Sequence, residues 1–107
     1  MFYHYRQNNS GGGFEGPAIN VIVEALEAGE ADSRAKEVGV YFDGCADGID
    51  CSCCGDRWYP TYDKGNEDPS IYGQPVIAGG NYSSIVGNDG VPSVLIYYRD
   101  GRRSEIA

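Results

Sequence analysis

The chain has 107 residues, 41% of them hydrophobic and 22% charged, which is enough for one domain with a single core and too few for two. Sixteen acidic residues against eight basic ones give a formal net charge of −8. A surface of this sign repels nucleic-acid phosphates and anionic membranes, so it argues against both as partners. We therefore expect one domain over residues 1–107 that binds neither.

The N-terminal residues predict the compartment. They lack the basic flank and apolar core of a signal peptide, and no apolar run in the chain reaches the roughly 18 residues of a membrane span. We therefore expect a cytoplasmic protein. Thiols stay reduced in the cytoplasm, where clustered cysteines more often bind metal or carry out redox chemistry than form disulfides.

Two segments near the N-terminus alternate with the period of a strand. Residues 2–6, F-Y-H-Y-R, predict a first strand with His4 on one face and Tyr3 and Tyr5 on the other. Residues 19–25, I-N-V-I-V-E-A, predict a second strand and give the clearest alternation in the chain.

A short helix is predicted over residues 28–39, where alanines recur at helical spacing and form a stripe that can approach a sheet closely. Gly39 is placed to end this helix as its C′ residue. Two acid-first i,i+4 pairs would support it: Glu30 with Arg34, and Asp32 with Lys36.

The C-terminal residues 93–106 predict a hairpin, in which Asp100-Gly101 favours a two-residue type I′ turn. Trp58 is predicted to be a core anchor beside the cysteine-rich segment. The expected fold is α+β: a small antiparallel sheet of about four or five strands, one short helix packed on it and a Cys-rich loop.

All four cysteines lie within ten residues, at positions 45, 51, 53 and 54. Cys51 and Cys54 form a C-x-x-C-G motif, in which two thiolates point at one metal and the following glycine lets backbone N–H groups turn toward the sulfurs. Cys45 can reach the same ion. Cys53 is the near candidate for the fourth ligand and His4, the only histidine, is the far one. The pattern predicts a structural zinc site.

Other roles for the cysteines stay open. Buried free thiols behave as small hydrophobic groups, disulfides would need an oxidising compartment, and a thioredoxin-like pair would need to start a helix. Catalytic patterns are sparse. His4 could form a dyad with one of the cysteines, but nothing in the sequence requires it, so an enzyme is not favoured.

Several blocks resemble a group of short uncharacterised proteins encoded by tailed bacteriophages. The blocks are Y-H-Y-R-Q-N-N-S-G-G, the strand–helix unit that ends in V-G-V-Y-F-D-G, the core D-C-S-C-C-G-D-R-W-Y, and Y-Y-R-D-G-R-R. The resemblance implies a viral protein that is expressed inside an infected bacterium. It carries no activity and no site residues.

Together these observations predict a small phage-type binding protein that acts on a host protein or small ligand, in host takeover or counter-defence. Its Cys-rich loop would be stabilised by zinc. Two alternatives remain: a self-associating structural or virion assembly component, which would be a homo-oligomer, and a small thiol enzyme that uses Cys51, Cys53 or Cys54.

Overall fold

A computed structural model gives the fold and describes residues 1–7, 17–42, 58–60, 65–71, 74–76 and 93–106. The segments found, in chain order, are β1 (Phe2–Arg6), β2 (Asn20–Glu24), α1 (Ala28–Glu37), β3 (Ser70–Ile71), β4 (Gln74–Pro75), β5 (Val94–Tyr97) and β6 (Arg103–Ile106).

The main sheet has four strands in the order β1-β2-β5-β6, and β3 pairs with β4 in a small separate hairpin. This confirms the α+β class with one helix. The main sheet is mixed, however, because its two inner strands β2 and β5 run parallel, whereas the outer pairs β1–β2 and β5–β6 are antiparallel. A parallel pair needs a long crossover connection. The chain between Glu24 and Val94, which includes α1, supplies it.

One face of the sheet packs against α1. Tyr3 and Tyr5 of β1 are buried on this face, as the alternation predicts, in one cluster with Ala31 and Ala35 of the helix. Alanine has a short side chain, so the helix can lie close to the tyrosine rings. The predicted small-residue stripe is therefore the packing face of α1.

The opposite face of the sheet is also covered. Ile22, Val94 and Ile96 form a second buried cluster. The partly buried residues packed against it are Phe2, Ile71, Val76 and Tyr98. Strand β2 is thus buried on both faces, which explains why Asn20 and Ile22 are as inaccessible as Val21 and Val23.

Trp58 lies in the cluster on the helix side of the sheet and is 1% exposed. This burial confirms the prediction that Trp58 belongs to the core. The Cys-rich loop lies outside the described residues.

The C-terminus of α1 is closed by glycine. Gly39 has φ +107°, and its N–H donates to the Lys36 carbonyl at 3.3 Å, while the Val40 N–H donates to the Ala35 carbonyl at 3.0 Å. These two bonds form a Schellman motif. Gly39 is the C′ residue, as predicted.

The turn of the C-terminal hairpin differs from the prediction. The Tyr98 N–H donates to the Arg102 carbonyl at 2.9 Å, and the Gly101 N–H donates to the Tyr98 carbonyl at 3.1 Å. These bonds enclose a three-residue loop, Arg99–Gly101, with Gly101 at φ +92°. The predicted two-residue type I′ turn is therefore wrong. The Asp100 carboxylate accepts the Arg102 N–H at 3.0 Å, and this bond stabilises the longer loop.

The ten-residue α1 is far short of a membrane span, and no other helix in the described ranges is long and apolar enough to make one.

Candidate functional site

Of the five predicted metal ligands, His4 lies among the described residues and the four cysteines lie outside them. Cys45, Cys51, Cys53 and Cys54 lie outside the described residues, so the zinc site stays a prediction. His4 lies on β1, half-buried, with its Nε2 2.8 Å from Asn20 Oδ1. Within the described ranges, no three His, Cys, Asp or Glu residues are grouped closely enough to hold a metal ion.

The partner of His4 is itself held in place. Asn20 Nδ2 donates to the Ser93 carbonyl at 3.1 Å, which leaves the amide oxygen facing His4. Because that oxygen can only accept, the hydrogen-bond network assigns the proton to His4 Nε2. Zinc binding through Nε2 would have to break this bond, whereas binding through Nδ1 would keep it, so Cys53 and His4 both remain candidates for the fourth ligand.

A cleft of about 290 Å³ lies between the C-terminal half of α1 and the β5–β6 hairpin. It is lined by Arg34, Glu37, Val38, Tyr97, Tyr98, Gly101, Arg102 and Arg103. None of these described lining residues is a serine, cysteine or histidine, so the cleft offers binding groups and no strong nucleophile.

The hairpin is tied to the rest of the fold through Arg99. The Arg99 N–H donates to Glu24 Oε1 at 3.0 Å, and its Nε donates to Glu30 Oε1 at 3.2 Å. The Glu30 carboxylate also accepts the Leu26 N–H at 3.0 Å. The Leu26 bond first, and then Arg99, lowers the pKa of Glu30 below its ordinary value. These contacts fix the hairpin at a set distance from α1, which creates the cleft.

Arg34 forms the wall of the cleft on the helix side. Its Nη2 donates to the Tyr98 carbonyl at 2.9 Å and so bridges α1 and the end of β5. Its Nε is enclosed and has no acceptor among the described residues. A shielded donor on a charged group without a partner costs about 1–3 kcal/mol or more. Arg34 therefore has one N–H donor that the described residues leave unsatisfied.

Arg102 adjoins the cleft at the end of the hairpin, but its guanidinium lies with the Tyr98 ring, which packs on the sheet face away from α1. Its guanidinium carbon is 4.8 Å from the centre of the Tyr98 ring, and its Nε is 2.6 Å from Asp100 Oδ2. Both charged side chains are more than half exposed, so the ion pair adds little stability. Its structural effect is to orient Arg102 over the tyrosine ring.

Tyr97 and Arg103 face each other across β5 and β6. Burial raises the pKa of Tyr97, and the hydrogen bond and charge of Arg103 oppose part of that rise. The phenol therefore keeps its proton near neutral pH and can donate or accept a hydrogen bond.

The charge of the cleft is opposite to that of the chain. The described lining contains three arginines and one glutamate, and Asp100 pairs with one of those arginines, Arg102, so the formal net charge is +1 within a protein of net charge −8. Sequence patterns alone do not predict this site, because helical spacing pairs Arg34 with Glu30 and R-D-G-R-R indicates a turn. The sequence feature that could have indicated the cleft is the high density of arginine in R-D-G-R-R.

Comparisons with known proteins place the chain in a family. No curated protein and no solved structure shows significant similarity to it. The sequence model of DUF7296, described as a domain of unknown function, matches residues 1–107. The chain therefore belongs to the DUF7296 family.

Proposed function

We propose that this protein is a small binding protein, and that its partner, a host protein or small ligand, docks in the cleft between α1 and the β5–β6 hairpin. The observation that carries the proposal is the enclosed Arg34 Nε, which has no acceptor among the described residues. The cleft is close to the lower size limit of small-molecule sites, about 300 Å³. A small ligand or one inserted side chain would fit it.

The setting is part of the proposal. The resemblance to short phage-encoded proteins supports action in the cytoplasm of an infected bacterium, in host takeover or counter-defence. The net charge of −8 keeps such a protein soluble and steers it away from nucleic acid.

The Cys-rich segment has a structural role in this proposal. Cys45, Cys51 and Cys54, with Cys53 or His4, would hold zinc and fix the chain that leads to Trp58. The burial of Trp58, which follows this segment in the chain, supports this reading. A small domain gains much of its stability from such a cross-link.

Self-association is the alternative. β6 is an edge strand of the main sheet, and edge strands can pair with a second copy. Its exposed Arg103 and Glu105 make such pairing less favourable, because charged side chains on an edge hinder it. Size-exclusion chromatography with light scattering tests this: a lasting oligomer supports an assembly role, and a monomer supports the binding role.

Blocking the cleft tests the proposal. Glu37 is exposed on the helix and lines the cleft, so Glu37→Trp would fill the space without removing an arginine. Glu27→Trp is the matched control: Glu27 is an exposed glutamate at the other end of α1, and its side chain makes no capping hydrogen bond. Affinity capture from bacterial lysate, with quantitative mass spectrometry, compares these variants with the wild type.

We expect a defined component to be retained by the wild-type protein and by Glu27→Trp and to be lost by Glu37→Trp. Equal retention by both variants would place the binding surface elsewhere. No specific retention by the wild type would contradict the docking of a host protein.

A further inference from the structure

The cleft contains features that specify the chemistry of its ligand. We infer that it binds a phosphate group, carried by a small molecule or present as inorganic phosphate, through Arg34 and Arg103. This inference rests on the proposed function and deepens it by naming the ligand class.

Donor geometry is the first argument. Arginine presents planar, fixed N–H groups that match the oxygens of phosphate in paired hydrogen bonds. Arg34 uses Nη2 on the Tyr98 carbonyl, while its Nε has no acceptor in the described part of the chain. When the guanidinium turns away from that single carbonyl, a phosphate oxygen can take both donors. The ligand would thus satisfy an atom that the protein alone leaves unsatisfied.

Charge is the second argument. Arg34 and Arg103 both line this cleft, and among its described lining residues Glu37 opposes them. Two guanidinium groups offer more paired N–H donors than one carboxylate can accept, and a phosphate has the additional oxygens to accept them. Acidic surfaces elsewhere on the chain repel anions, so a phosphate would be directed to this cleft.

The β5–β6 hairpin positions the second cationic group. Arg103 lies on β6 directly opposite Tyr97 of β5. Tyr97, whose phenol stays protonated, adds a neutral donor beside Arg103.

Glu37 acts as an internal competitor in this arrangement. Its carboxylate lies in the same lining as the arginines and bears the charge that the ligand would bear. Removing that charge without changing the size of the side chain should strengthen phosphate binding. If the arginines had only a structural role, removing the Glu37 charge would not strengthen phosphate binding.

The test is isothermal titration calorimetry at constant ionic strength with inorganic phosphate, phenyl phosphate and acetate as separate probes. The variants are Arg34→Gln, Arg103→Gln and Glu37→Gln. The matched control is Arg6→Gln, which removes one exposed positive charge from the end of β1. Denaturant unfolding checks that each variant folds. Arg103 is exposed on the hairpin, so its variant carries the test if Arg34→Gln does not fold.

We expect saturable binding of one or both phosphate probes to the wild type and to Arg6→Gln. The dissociation constant should rise about tenfold or more in Arg34→Gln and Arg103→Gln, and it should fall in Glu37→Gln. A preference for phenyl phosphate over inorganic phosphate would identify an organic phosphate as the natural class.

Three results would overturn the inference: no saturable phosphate binding, tighter binding of acetate than of phosphate, or equal weakening in Arg6→Gln. If phosphate fails to bind but Glu37→Trp still loses its captured lysate component, the ligand class is wrong and the binding role stands. If phosphate binds to the wild type as expected but no lysate component depends on the cleft, the inference stands and the docking of a host protein is contradicted.

Discussion

Tyr5 donates its phenolic hydrogen to Asp32 Oδ1 across 2.6 Å and so joins the edge strand β1 to α1. Tyr5 is 2% exposed, and its ring also lies against Phe42, just beyond the end of the helix. A short bond from a hydroxyl to a carboxylate in a shielded place is among the stronger hydrogen bonds of a protein. This contact fixes the helix on the sheet and therefore the wall of the cleft.

Removal of the Tyr5 hydroxyl should cost stability. Tyr5→Phe keeps the ring and its packing but takes the donor away from Asp32. We expect a loss of about 1–3 kcal/mol in the free energy of unfolding, measured by denaturant titration. Tyr59→Phe is the control, since Tyr59 is 52% exposed and its substitution should change stability by less than about 0.5 kcal/mol. Equal effects of the two substitutions would show that the Tyr5 bond contributes nothing.

The same bond predicts how stability depends on alkaline pH. Burial first, then the hydrogen bond to Asp32 and its negative charge, raises the pKa of Tyr5 far above its ordinary value. Above pH 10 or so the unfolded chain loses this proton while the folded protein keeps it. Stability therefore falls as pH rises beyond that point, by up to about 1.4 kcal/mol per pH unit from this group.

The measurement is the free energy of unfolding of wild type and Tyr5→Phe between pH 8 and 11. We expect the difference between the two proteins to shrink with rising pH, because the variant lacks the group that titrates. Parallel curves would contradict the assignment of this dependence to Tyr5.

Two glycines of the helix region should respond in opposite directions to the same substitution. A Cβ at Gly39 would meet Pro17 at an ordinary 3.5 Å, so the cost of Gly39→Ala comes from φ +107° and should be about 1–2 kcal/mol. At Gly29 the φ is not positive, and the nearest atom, 3.1 Å away, belongs to the exposed side chain of Glu27. Gly29→Ala should stabilise by up to about 1 kcal/mol. Thermal unfolding of both variants checks this, and a Gly39→Ala variant as stable as the wild type or more stable would be inconsistent with the Schellman motif.

The zinc prediction has a specific test in His4. Protein purified without added metal should contain one zinc per chain, and a chelator should lower its melting temperature. His4→Gln keeps an N–H donor for Asn20 Oδ1, so its zinc content separates a ligand from a hydrogen-bond donor. We expect Cys51→Ser to lose the metal, while retention by His4→Gln would assign the fourth position to Cys53 and loss would assign it to His4. A wild type without metal, unaffected by chelator, would contradict the site.

The local parts of the fold could be predicted because local patterns encode them. The alternation of β1 and β2, the alanine stripe of α1 and the Gly39 cap each depend on residues a few positions apart. The parallel pairing of β2 with β5 could not be predicted in this way. It places Asn20 opposite Val94, and no short pattern encodes a partner that far along the chain. The three-residue loop depends on the Asp100 side chain bonding the Arg102 N–H, a competition that the Asp-Gly pair alone does not reveal.

The cleft could not be predicted from the sequence for the same reason. Sequence spacing pairs Glu30 with Arg34, but in the fold the Glu30 carboxylate bonds Arg99 and Arg34 reaches the Tyr98 carbonyl. Both contacts cross more than sixty positions of sequence. Only the folded chain shows that arginines from α1 and from the C-terminal hairpin line one space.

The most direct test of the central claim, that the partner docks at the arginine-lined cleft, is an NMR titration of isotope-labelled protein with phenyl phosphate. The signals to follow are the Arg34 Nε–H and the backbone amides of Gly101, Arg102 and Arg103. We expect these signals to shift together along one saturable curve, with the Arg34 Nε–H moving downfield as it gains an acceptor. If they stay in place while residues elsewhere respond, or if nothing saturates, the cleft is not the binding site.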